Sequence, residues 1–244
     1  MINSSYEAAE SWRLINQQSP AVLKSMILSA TTREPVAQLS GPQRLDRIYK
    51  AVAVVFMPQA SSAYAFLALS IASGIEETRF YLPLSILFAS LIELGSLLVY
   101  VRFLKRDANV QDREDRPILF AIAILSYLVG FALLRYLGAP FIFSALMFAY
   151  FANTTFAAVI TRYLTKVSIH TWGITGPSVA ILYSFGVLGF LLMLVIGAIV
   201  GSTRIKLGYH TWRQVALSFL TSIPFTWFIV YVIPQLVPTV FRAY

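Results

Sequence analysis

The chain has 244 residues, 58% of them apolar and only 12% charged, with a mean hydropathy of +0.71. A soluble domain carries roughly a quarter charged residues, so this composition argues against a disordered chain or a soluble globular domain and for an integral membrane protein. At this hydropathy the net charge of +8 points to lipid headgroups or phosphorylated substrates rather than nucleic acid. The lack of Cys excludes disulfides, thiolate metal sites and thiol nucleophiles, and two His are too few for a histidine-rich metal cage.

Residues 1–49 form a polar N-terminal extension with a Pro/Gly-punctuated stretch from Pro35 to Pro42. No apolar run follows the first residues, so no cleavable signal is expected. Residues 21–30 are too short and polar to span and are expected to form a surface helix on the membrane. Residues 50–244 read as one transmembrane domain. Apolar runs at 51–74 and 81–101 predict two spans, the second carrying Glu93 at mid-depth. A loop of mixed charge, 102–116, precedes spans at 117–137 and 139–161, which Gly138-Ala139-Pro140 joins. After a short polar segment, 162–175, residues 176–203 are apolar. A basic segment, 204–213, leads into a last span at 214–240, which Pro224 and Pro234 interrupt. Helices are expected throughout, because lipid offers backbone groups no other partner. The predicted fold is all-α, a polytopic helical bundle.

Three polar clusters stand at span ends: Lys105 to Pro117, Lys166 to Gly173, and Thr203 to Gln214. Both histidines fall in the last two. Two histidines at span ends can divide a phosphoryl transfer, one attacking phosphorus and the other protonating the leaving oxygen. Nearby guanidinium and ammonium groups would hold the phosphate oxygens, and Arg suits this because its planar fork matches two of them. Ser168-x-His170-x-x-Gly173 fits a helix start, whose N–H groups add donors. The arrangement requires no metal or other cofactor. The plainer reading is that basic residues at span ends are membrane anchors and that an interfacial His is structural.

These residues resemble the type-2 phosphatidic acid phosphatase superfamily, which reads K-x6-R-P, then P-S-G-H, then S-R-x5-H-x3-D. The third motif is similar to Thr203-Arg204, five residues, His210, three residues, Gln214. The second is similar in part to Ser168-Ile169-His170. Two registers stand for the first: Arg106-x6-Arg113, or Arg116-Pro117 with Asn109 where Lys is expected. Gln214 replaces the usual Asp, as it does in the similar motif of dolichyl diphosphate phosphatases, and can accept from His210 without negative charge. The resemblance implies that His210 forms a phosphohistidine and that His170 protonates the leaving group. It implies phosphate binding by Arg204, by Arg113 or Arg116, and by Lys105, Arg106 or Lys166, with Ser168 completing the cradle. The implied substrate is a lipid phosphate or isoprenoid diphosphate. A non-catalytic lipid-binding or subunit protein of the same fold is the alternative, and a transporter is a weaker one.

The motifs must meet at one membrane face, yet a single span through 176–203 would separate the histidines. The resemblance therefore demands a hairpin of two short helices there, turning at Gly186 and Gly189, with arms of about 14–17 residues, or roughly 21–26 Å. This brings the expected number of membrane helices to six or seven. Of the 19 Lys and Arg, 16 lie on the motif face, and only Arg79, Arg135 and Arg242 lie on the other. The positive-inside rule then places the motif face in the cytoplasm. Glu93 is expected to be a buried partner for Arg, Asn153 or a Tyr hydroxyl.

Overall fold

In a computed structural model, residues 43–104 and 116–237 are described. They are helical, with no strand among them. In chain order the elements are α1 (Gln43–Val55), α2 (Pro58–Ser73), the single turn α3 (Ile75–Thr78), α4 (Tyr81–Phe103), α5 (Arg116–Tyr136), α6 (Phe141–Tyr163), α7 (Ile169–Thr175), α8 (Ser178–Lys206) and α9 (Trp212–Leu236). Among these residues five helices are long and apolar enough to cross a membrane, or six if the bent pair α1–α2 counts as one span. The bundle is thus an all-α polytopic one.

The expected first span, 51–74, is not continuous. Helix α1 begins at Gln43, crosses the expected boundary at residue 49/50, and meets α2 at a bend of 55°. Pro58 sits in the first turn of α2, where its missing N–H costs nothing, and Met57 before it is extended (φ −61°, ψ 152°). Hydropathy runs unbroken through this bend, because the end of α1 from Ala51 on and most of α2 are apolar. The polar segment 162–175 also contains a helix, α7. The last span is helical through both prolines, with a π-helical stretch at Phe228–Val232 one turn beyond Pro224. The interfacial helix expected at 21–30 lies outside the described residues.

The break that matters most lies inside α8. Gly186 has φ 71° and ψ −167°, a region essentially restricted to glycine. A straight helix would carry Gly197 ~33 Å from Thr175 at 1.5 Å per residue. Instead, a Cβ placed on Gly197 would lie 2.8 Å from the Thr175 methyl, and one on Gly201 would lie 3.3 Å from the Thr171 hydroxyl. The chain therefore folds back at Gly186, as the motif argument demanded. The arms are less equal than expected: the outward one is 178–185, extending α7, and the return arm is 187–206.

Packing follows the logic of a helix bundle in lipid. Phe66, Leu134, Phe143, Leu146 and Met147 fill the centre, fully or almost fully buried. Many large apolar side chains face outward; Leu188, Phe103 and Leu220 are 82%, 75% and 73% exposed. Between helices the contacts are often polar. Ser126 donates to the Phe88 carbonyl (2.6 Å), Thr175 pairs with Ser222 (2.6 Å), and Asn153 joins Thr226 (2.8 Å) and the Trp172 indole N–H (2.9 Å). Such bonds contribute on average about 0.6 kcal/mol each in a membrane bundle.

Substituting Gly186 should strain the fold-back by roughly 1–3 kcal/mol. Gly186→Ala and Gly186→Asn should both lower the thermal unfolding midpoint in detergent. Gly208→Asn, at a left-handed helix terminus that Asn accepts, should leave it nearly unchanged. A Gly186→Asn protein as stable as the wild type would contradict this account.

Candidate active site

The return arm of α8 ends in a left-handed reversal. Tyr209 N–H donates to the Arg204 carbonyl (3.0 Å), Gly208 N–H donates to Ile205 (2.9 Å), and Gly208 has φ 73°. This is a Schellman motif, and it sets the Arg-to-His spacing. The chain turns over the end of α8, so that His210 N–H also reaches the Arg204 carbonyl (3.3 Å). Thr211 then caps α9 in a capping box with Gln214. Six residues apart in sequence, Arg204 and His210 end on the same side of the reversal.

Arg204 is almost fully buried, and its guanidinium lies 4.3 Å from the centroid of the Tyr209 ring. A stacked guanidinium keeps its charge while the ring fixes its plane. Arg116 opens α5, is 7% exposed, and donates from Nη1 to the Val167 carbonyl (3.4 Å) just before α7. His170 stands one residue into α7, and Ala53 of α1 lines the same cavity beside it. Arg116, His170, Arg204 and His210 all line one cavity of about 500 Å³. Lys50, Gln59, Glu93, Ser96 and Tyr209 line it too, with an apolar wall from Val54, Leu97 and Phe120.

The hydrogen bonds of Gln214 assign the His210 tautomer. The Thr211 backbone N–H can only donate, and it meets Gln214 Oε1 at 3.2 Å, while Gln214 Nε2 donates to Thr165 Oγ1 at 3.3 Å. Gln214 Oε1 is therefore an acceptor, and His210 Nδ1, 3.0 Å from it, carries the proton. Nε2 of His210 keeps its lone pair. Burial, then the positive charges of Arg204, Arg116 and Lys166, hold the His210 imidazole down to about 3 despite the supporting bond from Gln214. Burial, followed by Arg204 and His210, likewise holds His170 well below the ordinary histidine range. Both rings are neutral at pH 7, in a cavity walled by two buried guanidiniums. Such a cavity favours an anion.

Of the residues singled out from the sequence, the structure brings together His170, Arg204, His210, Gln214 and Arg116. Lys166 is half-buried, and its charge acts on His210 without its side chain lining the cavity. Ser168 does not line the cavity either. It is fully buried as the cap of α7, its Oγ near the Thr171 N–H (3.5 Å) and hydroxyl (2.9 Å). Lys105, Arg106 and Arg113 lie outside the described residues. Glu93 accepts a hydrogen bond from the Tyr127 hydroxyl, as a Tyr partner was expected to provide. Asn153 instead serves Trp172 and Thr226. Sequence reasoning missed Lys50, Gln59 and the stacking role of Tyr209. Only the position of Tyr209 between Arg204 and His210 could have signalled it. Among the described residues no group of three His, Cys, Asp or Glu could hold a metal ion. No known protein family, curated protein or solved structure matches the chain.

The two imidazoles make stability depend on pH. An unfolded histidine takes up a proton near pH 6.5, but these folded ones refuse it until lower pH, near 3 for His210. Between those values the unfolded state binds more protons, so the stability is full above pH 6.5 and declines as pH falls. Thermal unfolding in detergent should move several degrees lower from pH 7 to pH 4. A His170→Asn/His210→Asn double variant should flatten that slope.

Proposed function

We propose that the protein is a membrane phosphatase that removes phosphate from a lipid phosphate or isoprenoid diphosphate through His210 and His170. The observation that carries this reading is the convergence of two neutral imidazoles and two buried guanidiniums on one cavity with an apolar wall. The resemblance of the three motifs supplies the roles, and it implies no metal.

In this mechanism Arg204 and Arg116 hold the phosphoryl oxygens and stabilise the charge that builds up on them. Burial holds His170 neutral first and the positive field adds to it; the bound anion counters that field, so His170 takes up a proton with the substrate. Nε2 of His210 attacks phosphorus, and the new N–P bond forms as the P–O bond to the lipid breaks. His170 passes its proton to the departing oxygen. Gln214 steadies the Nδ1 proton of His210 and acts as a positioning residue. Its neutral amide favours the imidazolium less than a carboxylate would. A water then gives a proton to His170, attacks phosphorus, breaks the N–P bond and releases inorganic phosphate. By the positive-inside rule, the cavity face of the bundle is the cytoplasmic one.

Phosphate release from a panel of lipid phosphates and prenyl diphosphates tests the reading. His210→Ala should abolish release, and His170→Ala should slow it by about 10²–10⁴-fold, the usual share of general acid–base catalysis. Acid-labile phosphate should label wild type but not His210→Ala, and EDTA should leave activity intact. Full activity of His210→Ala would refute the mechanism. Failure of wild-type protein to label or to release phosphate would favour the non-catalytic lipid-binding reading, which the neutral Gln214 suits.

The natural lack of Cys makes sidedness measurable. Lys206→Cys and Tyr136→Cys sit at opposite ends of the bundle, both exposed. In intact cells a membrane-impermeant maleimide should label Tyr136→Cys at once and Lys206→Cys only after permeabilisation. The reverse pattern would place the cavity on the outer face.

A further inference from the structure

Glu93 has no part in the chemistry just described, yet it opens into the same cavity. A carboxylate this deep in a span is costly, and functional sites are the usual reason for keeping one. Its Oε1 accepts from the Tyr127 hydroxyl, while Oε2 accepts nothing from the described residues. Tyr127 is itself locked in place. Its ring stacks on Tyr150, with centroids 5.4 Å apart, and it is 4% exposed. The Tyr127 bond therefore fixes the carboxylate through one oxygen, and the other accepts from none of the described residues.

The depth of Glu93 follows from helix register. Ser126 donates to the Phe88 carbonyl, and a Cβ on Gly130 would meet the Phe88 side chain at 2.7 Å. Phe88 is thus level with 126–130. Helices α4 and α5 are antiparallel neighbours, so Glu93 is level with 121–125, five to nine residues deeper than Arg116. That is roughly 8–13 Å along the axis at 1.5 Å per residue. Guanidinium-to-phosphate contact, a three-carbon linker and one hydrogen bond together cover roughly 10–12 Å, given hydrogen bonds near 2.8 Å. Glu93 thus lines the same cavity as Arg116 and Arg204, at a level deeper along the bundle than Arg116.

We propose that Glu93 is a specificity residue that accepts a hydrogen bond from a hydroxyl or ammonium group carried on the lipid backbone two or three carbons from its phosphate. The proposal rests on the phosphatase reading and narrows it. Substrates with a free donor beside the phosphate, such as monoacylglycerol phosphates or long-chain 2-amino-alcohol phosphates, are favoured. Prenyl diphosphates, which offer no such donor, are not. A bound hydroxyl leaves no charge behind, whereas a bound ammonium pairs with the carboxylate directly.

The test compares four substrates of matched chain length on purified protein in detergent. They are a monoacylglycerol phosphate, its deoxy analogue lacking the free hydroxyl, a long-chain 2-amino-alcohol phosphate, and a prenyl diphosphate. A hydrogen bond to a charged group is worth about 1.5–3 kcal/mol, so kcat/KM for the hydroxyl substrate should exceed that of the deoxy analogue by roughly 10–100-fold. In Glu93→Gln, which preserves shape and the acceptor toward Tyr127, that ratio should fall severalfold. The ammonium substrate should lose more than the hydroxyl one, because an amide cannot pair with a cation. Equal kcat/KM for the hydroxyl and deoxy substrates in wild type, or an unchanged ratio in Glu93→Gln, would overturn the proposal. If wild type hydrolyses none of the four, the phosphatase reading fails instead, and Kd values for the same lipids decide the role of Glu93. Preference for the donor-bearing lipids, lost in Glu93→Gln, would uphold it, and equal binding would overturn it.

Discussion

The return arm of α8 lies against α7 because the backbone at Gly186 leaves the helical region for a conformation that only glycine adopts freely. Without that reversal, α8 would be a 29-residue helix about 44 Å long. Its two ends would then hold Ser178 and Arg204 on opposite sides of any bilayer, and His170 and His210 would be as far apart. With the reversal, Thr171 and Thr175 seat against Gly201 and Gly197, where the lack of a side chain lets the arms approach closely. The position of Arg204 follows from that contact, and the Schellman reversal at Gly208 hands it on to His210. A backbone torsion at one end of the bundle thus sets the electrostatics at the other.

Those electrostatics are unusual for a membrane interior. Two guanidiniums are costly to bury. Tyr209 offsets part of that cost with its ring face, and Val167 offers Arg116 a carbonyl. Both imidazoles remain uncharged beside them. Gln214 adds orientation without charge: a single amide oxygen accepts from both the Thr211 backbone and the His210 ring. The same hydrogen bonds that cap α9 therefore also choose which nitrogen of His210 keeps its lone pair.

Much of this was legible in the sequence, and for physical reasons. Spans announce themselves through hydropathy, because lipid leaves the helix surface no other composition. The fold-back at Gly186 followed from requiring two histidines to meet, a constraint that hydropathy alone does not carry. The spacing from Arg204 to His210 was readable as a motif, but its cause, a helix terminus followed by a cap, was visible only in three dimensions. The bend at Met57–Pro58 escaped notice because a proline in the first turn of a helix leaves no mark on hydropathy. Ser168 looked like a phosphate ligand because a helix start and an anion site share the same residue type, and here it caps α7. Trp172, one residue before Gly173, is buried with its indole on Asn153. Lys50 on α1 and Gln59 on α2 joined the cavity from either side of a bend that the sequence did not give.

The hydroxyl and amide contacts between helices have one further consequence. Leu188, Leu220 and Phe103 face outward and need only be greasy, so many replacements serve there equally well. Ser126, Thr175, Ser222, Asn153 and Thr226 each answer a particular partner across a helix boundary. Heritable variation should therefore erode the exterior freely while holding this interior stripe still. In distant descendants of this chain, ancestry would be written in a few small polar letters spaced along otherwise interchangeable grease.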